Sequence, residues 1–187
     1  MMDQKKIQEL ISRSQQEDAA AFSLLVSTFQ PLVFRLAFRL LCDEDEAKDM
    51  VQETFVKVWL ALGKYNGECR FSTWIYKITC NTCYDRLRSL YHSPLDNEAD
   101  YSVSVNISSD DNVELAVVNK QLRELILRYT DELSPRQRLI FTLRDIEELD
   151  VPEVQIITGL SAEIIKTTLY LARKNIRNKM NQIDAGL

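Results

Sequence analysis

Apolar residues recur at helical spacing along most of the chain, and the interruptions between the runs divide it into elements. Ile7, Leu10 and Ile11 predict a short amphipathic opening helix. Ala19, Phe22, Leu25, Val26 and Phe29 predict a second, ending before Gln30-Pro31. Pro31 suits the first turn of a third helix bearing Leu32, Val33, Leu36, Ala37, Leu40 and Leu41. Asp43, with Glu46 three residues on, fits a capping box, and Gly63 stands where a C-terminal cap belongs. Between them Ala47, Met50, Val51, Phe55, Val58, Trp59 and Leu62 form one apolar stripe. Asp49, Gln52, Glu53 and Val56 make a second row beside it. After a loop at 64–71, Ser72 is read as the N-cap of an aromatic-rich helix running to about Tyr91. These helices predict a compact bundle.

The pattern breaks at SPLDNEADYSVSVNISSDDN, residues 93–112, which is rich in Ser, Asp and Asn and has no sustained helical period. It reads as a flexible linker; YSVSVNI alone would be a strand without a partner. Helical spacing resumes from Val113 through Leu115, Val118, Leu122, Leu125, Ile126, Tyr129 and Leu133. Ser134-Pro135-Arg136-Gln137 is a capping box with Pro at the first helical position, and Leu139, Ile140 and Leu143 carry that helix inward. Asp150 and Glu153 form another box, opening a short helix that stops near Gly159, and Ser161 caps a final helix to about Asn181. A short helix, a turn containing Gly159 and a basic second helix have the form of a helix-turn-helix. The expectation is an all-α protein of two helical domains, 1–92 and 113–187, joined by the linker.

Composition changes this picture little. Hydrophobic residues at 45% and charged residues at 27% are those of an ordinary globular chain. The most apolar stretch, LVFRLAFRLLC, is broken by Arg35 and Arg39, and MMDQKKIQEL lacks a signal-peptide core. A cytoplasmic location without membrane insertion is expected, with the four cysteines as free thiols. Charge matters more for its distribution than for its total of −5. Lys166 to Gln182 holds five basic residues and no acidic one, whereas Ser89 to Asn119 holds six acidic residues and no Lys or Arg. A cationic end can therefore meet phosphates while acidic segments stay outside.

The candidate chemistry is binding, not catalysis. Asp49 and Glu53 lie on a helix face without a cleft, metal partner or His to tune them as an acid–base pair. Cys80 and Cys83 make one CxxC inside a helix; Cys42 and Cys69 supply no second pair and His92 is isolated, so neither a metal site nor a redox motif is expected. No cofactor motif occurs. Tyr65, Asn66, Arg70, Phe71 and Asn81 offer stacking faces, amides and a cation suited to an unpaired base. Arg86 and Arg88, with Lys77, could follow a phosphate backbone. On the final helix Ile165, Leu169, Ala172 and Ile176 should pack inward, leaving Lys166, Thr167, Tyr170, Arg173, Lys174 and Arg177 for DNA.

The string DEAKDMVQETFVKVW followed by RFSTWIYKITCN resembles conserved region 2 of the extracytoplasmic-function sigma factors, the promoter-specificity subunits of bacterial RNA polymerase. LSPRQRLIFTLRDIEELDVPEVQIITGLSAEIIKTTLYLARKNIRNKM resembles region 4 of the same family. The resemblance covers most of 20–92 and nearly all of 114–181. It implies −10 recognition at the 64–71 loop and Asn81, −35 contacts from Lys166, Thr167 and Tyr170, and docking of the Asp49, Gln52, Glu53 and Val56 face on the polymerase clamp. Its implied partners are core RNA polymerase, promoter DNA (duplex, and melted on the non-template strand) and an anti-sigma factor. The family often has Gly-Thr-Val and a following Arg where this chain has Glu163-Ile164-Ile165 and Thr168, so its phosphate contacts should be weaker or its sequence preference shifted. From the residues alone, a polymerase-independent helix-turn-helix regulator and a helical adaptor remain alternatives.

Overall fold

Helices account for every regular element of the computed structural model, which describes residues 3–91, 129–130 and 133–185. The linker at 93–112 and the helical reading of 113–128 lie outside the described residues.

Helix α1 (Gln4–Ser14) starts on an Asp3 cap and buries Leu10 and Ile11. Helix α2 (Ala19–Leu41) is one 23-residue rod, which corrects the reading of two helices meeting at Pro31. Proline inside a helix removes one hydrogen bond and costs about 3 kcal/mol. Here the ring is on the exposed side, and the stripe Leu25, Phe29, Val33, Leu36 and Leu40 continues in phase across it, fully buried apart from Phe29 at 7%. Each such side chain contributes roughly 1.5–3 kcal/mol on burial, so packing outweighs the break. By length and composition α2 could cross a bilayer, but its apolar stripe faces α1, α3 and α4 as the core of the bundle. It ends at Cys42, left-handed at φ 56°, whose N–H donates to the Phe38 carbonyl.

Helix α3 (Glu44–Ala61) opens on Asp43, whose carboxylate accepts from the N–H groups of Asp45 and Glu46. The expected reciprocal box is not formed, because the Glu46 carboxylate turns to Arg86. Nor is Gly63 a left-handed cap: α3 passes into a tight 3-10 turn at Leu62–Lys64, with Leu62 right-handed. Helix α4 (Phe71–Tyr91) begins one residue before the expected Ser72 cap.

The C-terminal elements follow their local signals. Helix α5 (Pro135–Phe141) carries the full Ser134–Gln137 box, then widens into a π turn at Thr142–Ile146. Helix α6 (Val151–Thr158) carries the Asp150–Glu153 box and ends at Gly159, left-handed at φ 70°. Helix α7 (Ala162–Ala185) starts where Ser161 accepts from the Ile164 N–H.

Two apolar clusters organise these helices. One joins α1, the first half of α2, α3 and the start of α4 around Leu25, Val33, Val58 and Ile75. The other is shared between the N-terminal bundle and the helix-turn-helix: Leu36, Leu40, Cys80 and Leu87 meet Ile140, Leu143, Val154 and Ile157. The two parts read as separate domains thus pack together, chiefly α4 against α6. Glu147, just past the π turn, pairs with Arg39 of α2 and accepts from the Tyr76 hydroxyl of α4 at 2.6 Å. Arg138, almost wholly buried, donates to the carbonyls of Leu40 and Thr130.

Candidate nucleic-acid interface

Three surfaces carry the residues singled out above. The first is the outer face of α3. Successive steps of three and four residues place Asp49, Gln52, Glu53 and Val56 on its exposed side, opposite the buried Met50, Val51, Phe55 and Val58. Glu53 pairs with Lys57 at 2.6 Å, and Lys57 also donates to Thr82 on α4. Leu60, one turn beyond Val56, is 76% exposed and extends the row with apolar surface. Its spacing from Val56 was the available signal. Trp59, expected in the buried stripe, lies at the rim with its ring edge on Phe22 at 4.7 Å.

The second surface follows the turn at Leu62–Lys64. Tyr65 and Phe71 were expected as open stacking faces, and this is corrected: both are buried. Their rings meet edge to face at 5.2 Å, Trp74 lies 5.3 Å from Tyr65 and 5.6 Å from Phe71, and Phe29 closes the group from α2. The Tyr65 hydroxyl donates to the Cys69 carbonyl at 2.7 Å, bracing the loop from within, and burial raises the phenol's pKa. Gly67 takes a left-handed conformation at φ 80°, and Asn66 accepts from the Glu68 N–H. The exposed loop groups are therefore Asn66, Gly67, Glu68 and Arg70, standing on an aromatic platform.

From Arg70 an outward row runs through Trp74, Lys77, Asn81 and Arg88 along one side of α4. Trp74, read from the sequence as core, is only partly buried on that row. Arg86 faces the other way. Its guanidinium makes two short hydrogen bonds to Glu46, at 2.6 and 2.5 Å, so the reading of a free phosphate contact is corrected. That pair, with the charges of Asp49 and Glu53 nearby, raises the Arg86 pKa.

The third surface is α7. Ile165, Leu169 and Ala172 are buried, and Lys166, Thr167, Tyr170, Arg173 and Lys174 are all exposed, Tyr170 at 66%. The cationic face is open in the packed form. Arg173 is already engaged, however, by two hydrogen bonds of 2.8 and 2.6 Å to Asp145 of the π turn. The partners of Arg86 and Arg173 lie far away along the chain, where helical spacing gives no signal.

Cys80 and Cys83 lie inside the shared apolar cluster, where burial raises the thiol pKa of both, that of Cys83 to about 12. Such thiols are inert packing groups. Among the described residues no three His, Cys, Asp or Glu side chains gather as metal ligands, and His92 lies outside them.

Known proteins resemble this chain along its whole length. The Sigma-70 region 2 family model matches residues 25–92, and the Sigma-70, region 4 model matches 123–176. The ECF RNA polymerase sigma-E factor of Salmonella typhimurium is 30% identical over 98% of both chains. CnrH, solved in complex with the cytosolic domain of CnrY, shares the fold at a TM-score of 0.68 and 19% identity, covering 96% of this chain and 99% of that one. The sigma factor RpoE of Bartonella quintana, solved with the anti-sigma factor NepR, gives a TM-score of 0.60 at 22% identity, covering 86% and 96%. With both regions matched in order and a relative aligned from end to end, the chain belongs to the extracytoplasmic-function sigma factors of bacterial RNA polymerase.

Proposed function

We propose that this chain binds core RNA polymerase and directs it to promoters, holding duplex −35 DNA with one module and melted −10 bases with the other. Catalysis belongs to the polymerase, and the chain acts in the cytoplasm. Residues 1–92 form the first module, 93–112 the tether and 113–187 the second.

The observation that carries this reading is the coexistence of two unlike surfaces. Helix α7 is the second helix of the helix-turn-helix, entered from the capped α6 through the Gly159 turn, and presents Lys166, Thr167, Tyr170 and Lys174 to solvent, as a helix entering a major groove requires. The Asn66–Arg70 loop and the row to Asn81 instead offer amides, a cation and the edge of Trp74. Stacking of one base on an aromatic side chain contributes about 1–3 kcal/mol, enough to offset part of the cost of unpairing. Tyr65 and Phe71 support this surface from beneath. The Asp49–Val56 face, extended by Leu60, is the proposed dock on the polymerase clamp, its carboxylates suited to a basic surface and its apolar end to a buried contact. An anti-sigma factor is a further proposed partner, by likeness to the solved relatives.

Geometry adds a condition. The two promoter elements lie roughly 25 base pairs apart, about 85 Å along B-form DNA at about 3.4 Å per pair. A compact chain of this length has a radius of gyration of about 16 Å and is about 40 Å across. The packed form cannot span both elements, so the Glu147 contacts to Arg39 and Tyr76 must open. A tether of about twenty residues reaches up to roughly 70 Å when extended.

Run-off transcription with purified core polymerase on a pool of promoter fragments tests the reading. Promoter-specific transcripts that depend on this chain are expected; none, together with no complex with core polymerase, would remove it.

A further inference from the structure

The loop carrying Asn66 and Arg70 is held at its root by a residue outside the stretch that matches region 2. Gln15, in the connection between α1 and α2, donates both amide hydrogens to this root: to the Leu62 carbonyl at 3.0 Å and the Tyr65 carbonyl at 2.9 Å. The Leu62 carbonyl also accepts from the Tyr65 N–H at 3.1 Å, so one side chain ties both ends of the 3-10 turn. The connection that carries Gln15 is itself firmly built. Arg13 makes two hydrogen bonds to Asp18, Asp18 caps α2 through the Ala21 N–H, and Gln16 and Asp18 donate backbone N–H groups to the Arg13 carbonyl. The clamp thus has a rigid side, the α1–α2 turn, and a side that needs holding, the start of the loop.

The position of the tie decides what it can do. Tyr65 is the last residue before the exposed loop groups, and its hydroxyl fixes the far side of the loop through the Cys69 carbonyl. With its ring packed on Phe71 and Trp74, the remaining freedom at Tyr65 is rotation of the peptide that follows it, which aims Asn66. The Gln15 amide grips the oxygen of that same peptide.

We propose that Gln15 is a positioning residue for recognition of unpaired promoter bases, acting through the Leu62 and Tyr65 carbonyls to aim Asn66 and Arg70. This rests on the reading of the 65–71 loop as the surface that takes the melted strand. It gives the α1–α2 connection a part in base recognition without any contact to DNA.

Two substitutions separate aiming from filling space. Gln15→Ala removes both donors and leaves the carbonyls to water. Gln15→Glu keeps the shape but sets a carboxylate against two carbonyl oxygens. Holoenzyme assembled from core polymerase and the full chain is screened on the fragment pool. A fragment transcribed by the wild-type holoenzyme is then offered fully paired and with its non-template −10 bases unpaired. Gln15→Ala is expected to reduce the preference for the unpaired form by about fivefold, the scale of losing two partly exposed hydrogen bonds, and Gln15→Glu by more. Affinity for −35 duplex should stay at the wild-type value in both. A space-filling role would reverse the order, with Ala the worse variant. That reversal, or wild-type preference in both variants, overturns the proposal; if Gln15→Glu does not fold by circular dichroism, wild-type preference in Gln15→Ala alone overturns it. If the wild-type chain supports no transcript, the functional reading falls and the proposal falls with it.

Discussion

The loop at 65–71 and helix α7 both face solvent with groups suited to nucleic acid, yet they are built in opposite ways. On α7 the exposed cations and the buried Ile165, Leu169 and Ala172 alternate on one continuous helix, so the backbone's own hydrogen bonds hold the surface in shape. The loop has no such ladder. Its exposed Asn66 and Arg70 depend on the Tyr65, Phe71 and Trp74 rings below, on Tyr65 bracing Cys69 and on Gln15 at the root. A surface read off one helix tolerates change one residue at a time, whereas a surface assembled from several elements fails through its supports.

Phe71→Ala presses hardest on that contrast. Removing a buried aromatic from the platform should cost about 3–5 kcal/mol in denaturant unfolding and abolish binding to unpaired −10 bases. Leu171→Ala on α7, a truncation of an exposed apolar residue, should stay within about 0.5 kcal/mol. Equal losses would show that the loop is no more dependent on its supports than the helix.

Next in size is Glu147→Ala, which leaves Arg39 and the buried Tyr76 hydroxyl without their shared partner. The packing of the two modules should weaken by about 2–3 kcal/mol, read as a larger radius of gyration in solution scattering. An unchanged radius would show that the apolar contact alone holds them.

Two cations on α7 should then differ from each other. Lys166→Gln should lower the salt slope for −35 duplex binding by about 0.9, the value for one phosphate contact. Arg173→Gln should lower it less, because Asp145 already occupies that guanidinium. Equal slopes would mean that DNA displaces Asp145.

The smallest effect is at high pH. Burial first, then the Glu147 hydrogen bond and charge, raises the Tyr76 phenol pKa well above its ordinary value near 10. A raised folded pKa contributes stability that is complete below the unfolded value and lost as pH climbs through the folded one. No change is therefore expected between pH 7 and 9. In an ultraviolet titration, Tyr76→Phe should remove phenolate absorbance from the top of the range and not near pH 10.

What could be read from the residues divides along the same line. The Ser134 and Asp150 boxes and the Gly159 cap involve groups within a few positions of each other, and the structure holds all three. Pro31 carries two meanings, helix start or tolerated interior residue, and only the burial of Leu25 through Leu40 in one phase decides between them. Tyr65 and Phe71 flank a polar loop and so suggest exposure, but the rings that cover them come from α2 and α4. The pairing of Arg86 with Glu46, and of Arg173 with Asp145, depends on helices meeting in space, which charge counts along the chain do not show.

The unbroken run of α2 through Pro31 has a thermodynamic consequence. Its first half supplies Leu25 and Phe29 to one apolar cluster, and its second supplies Leu36 and Leu40 to the other. A single girder seated in both cannot lose one footing without loosening the second. In calorimetry the N-terminal bundle should melt in one step, with no plateau between its two ends.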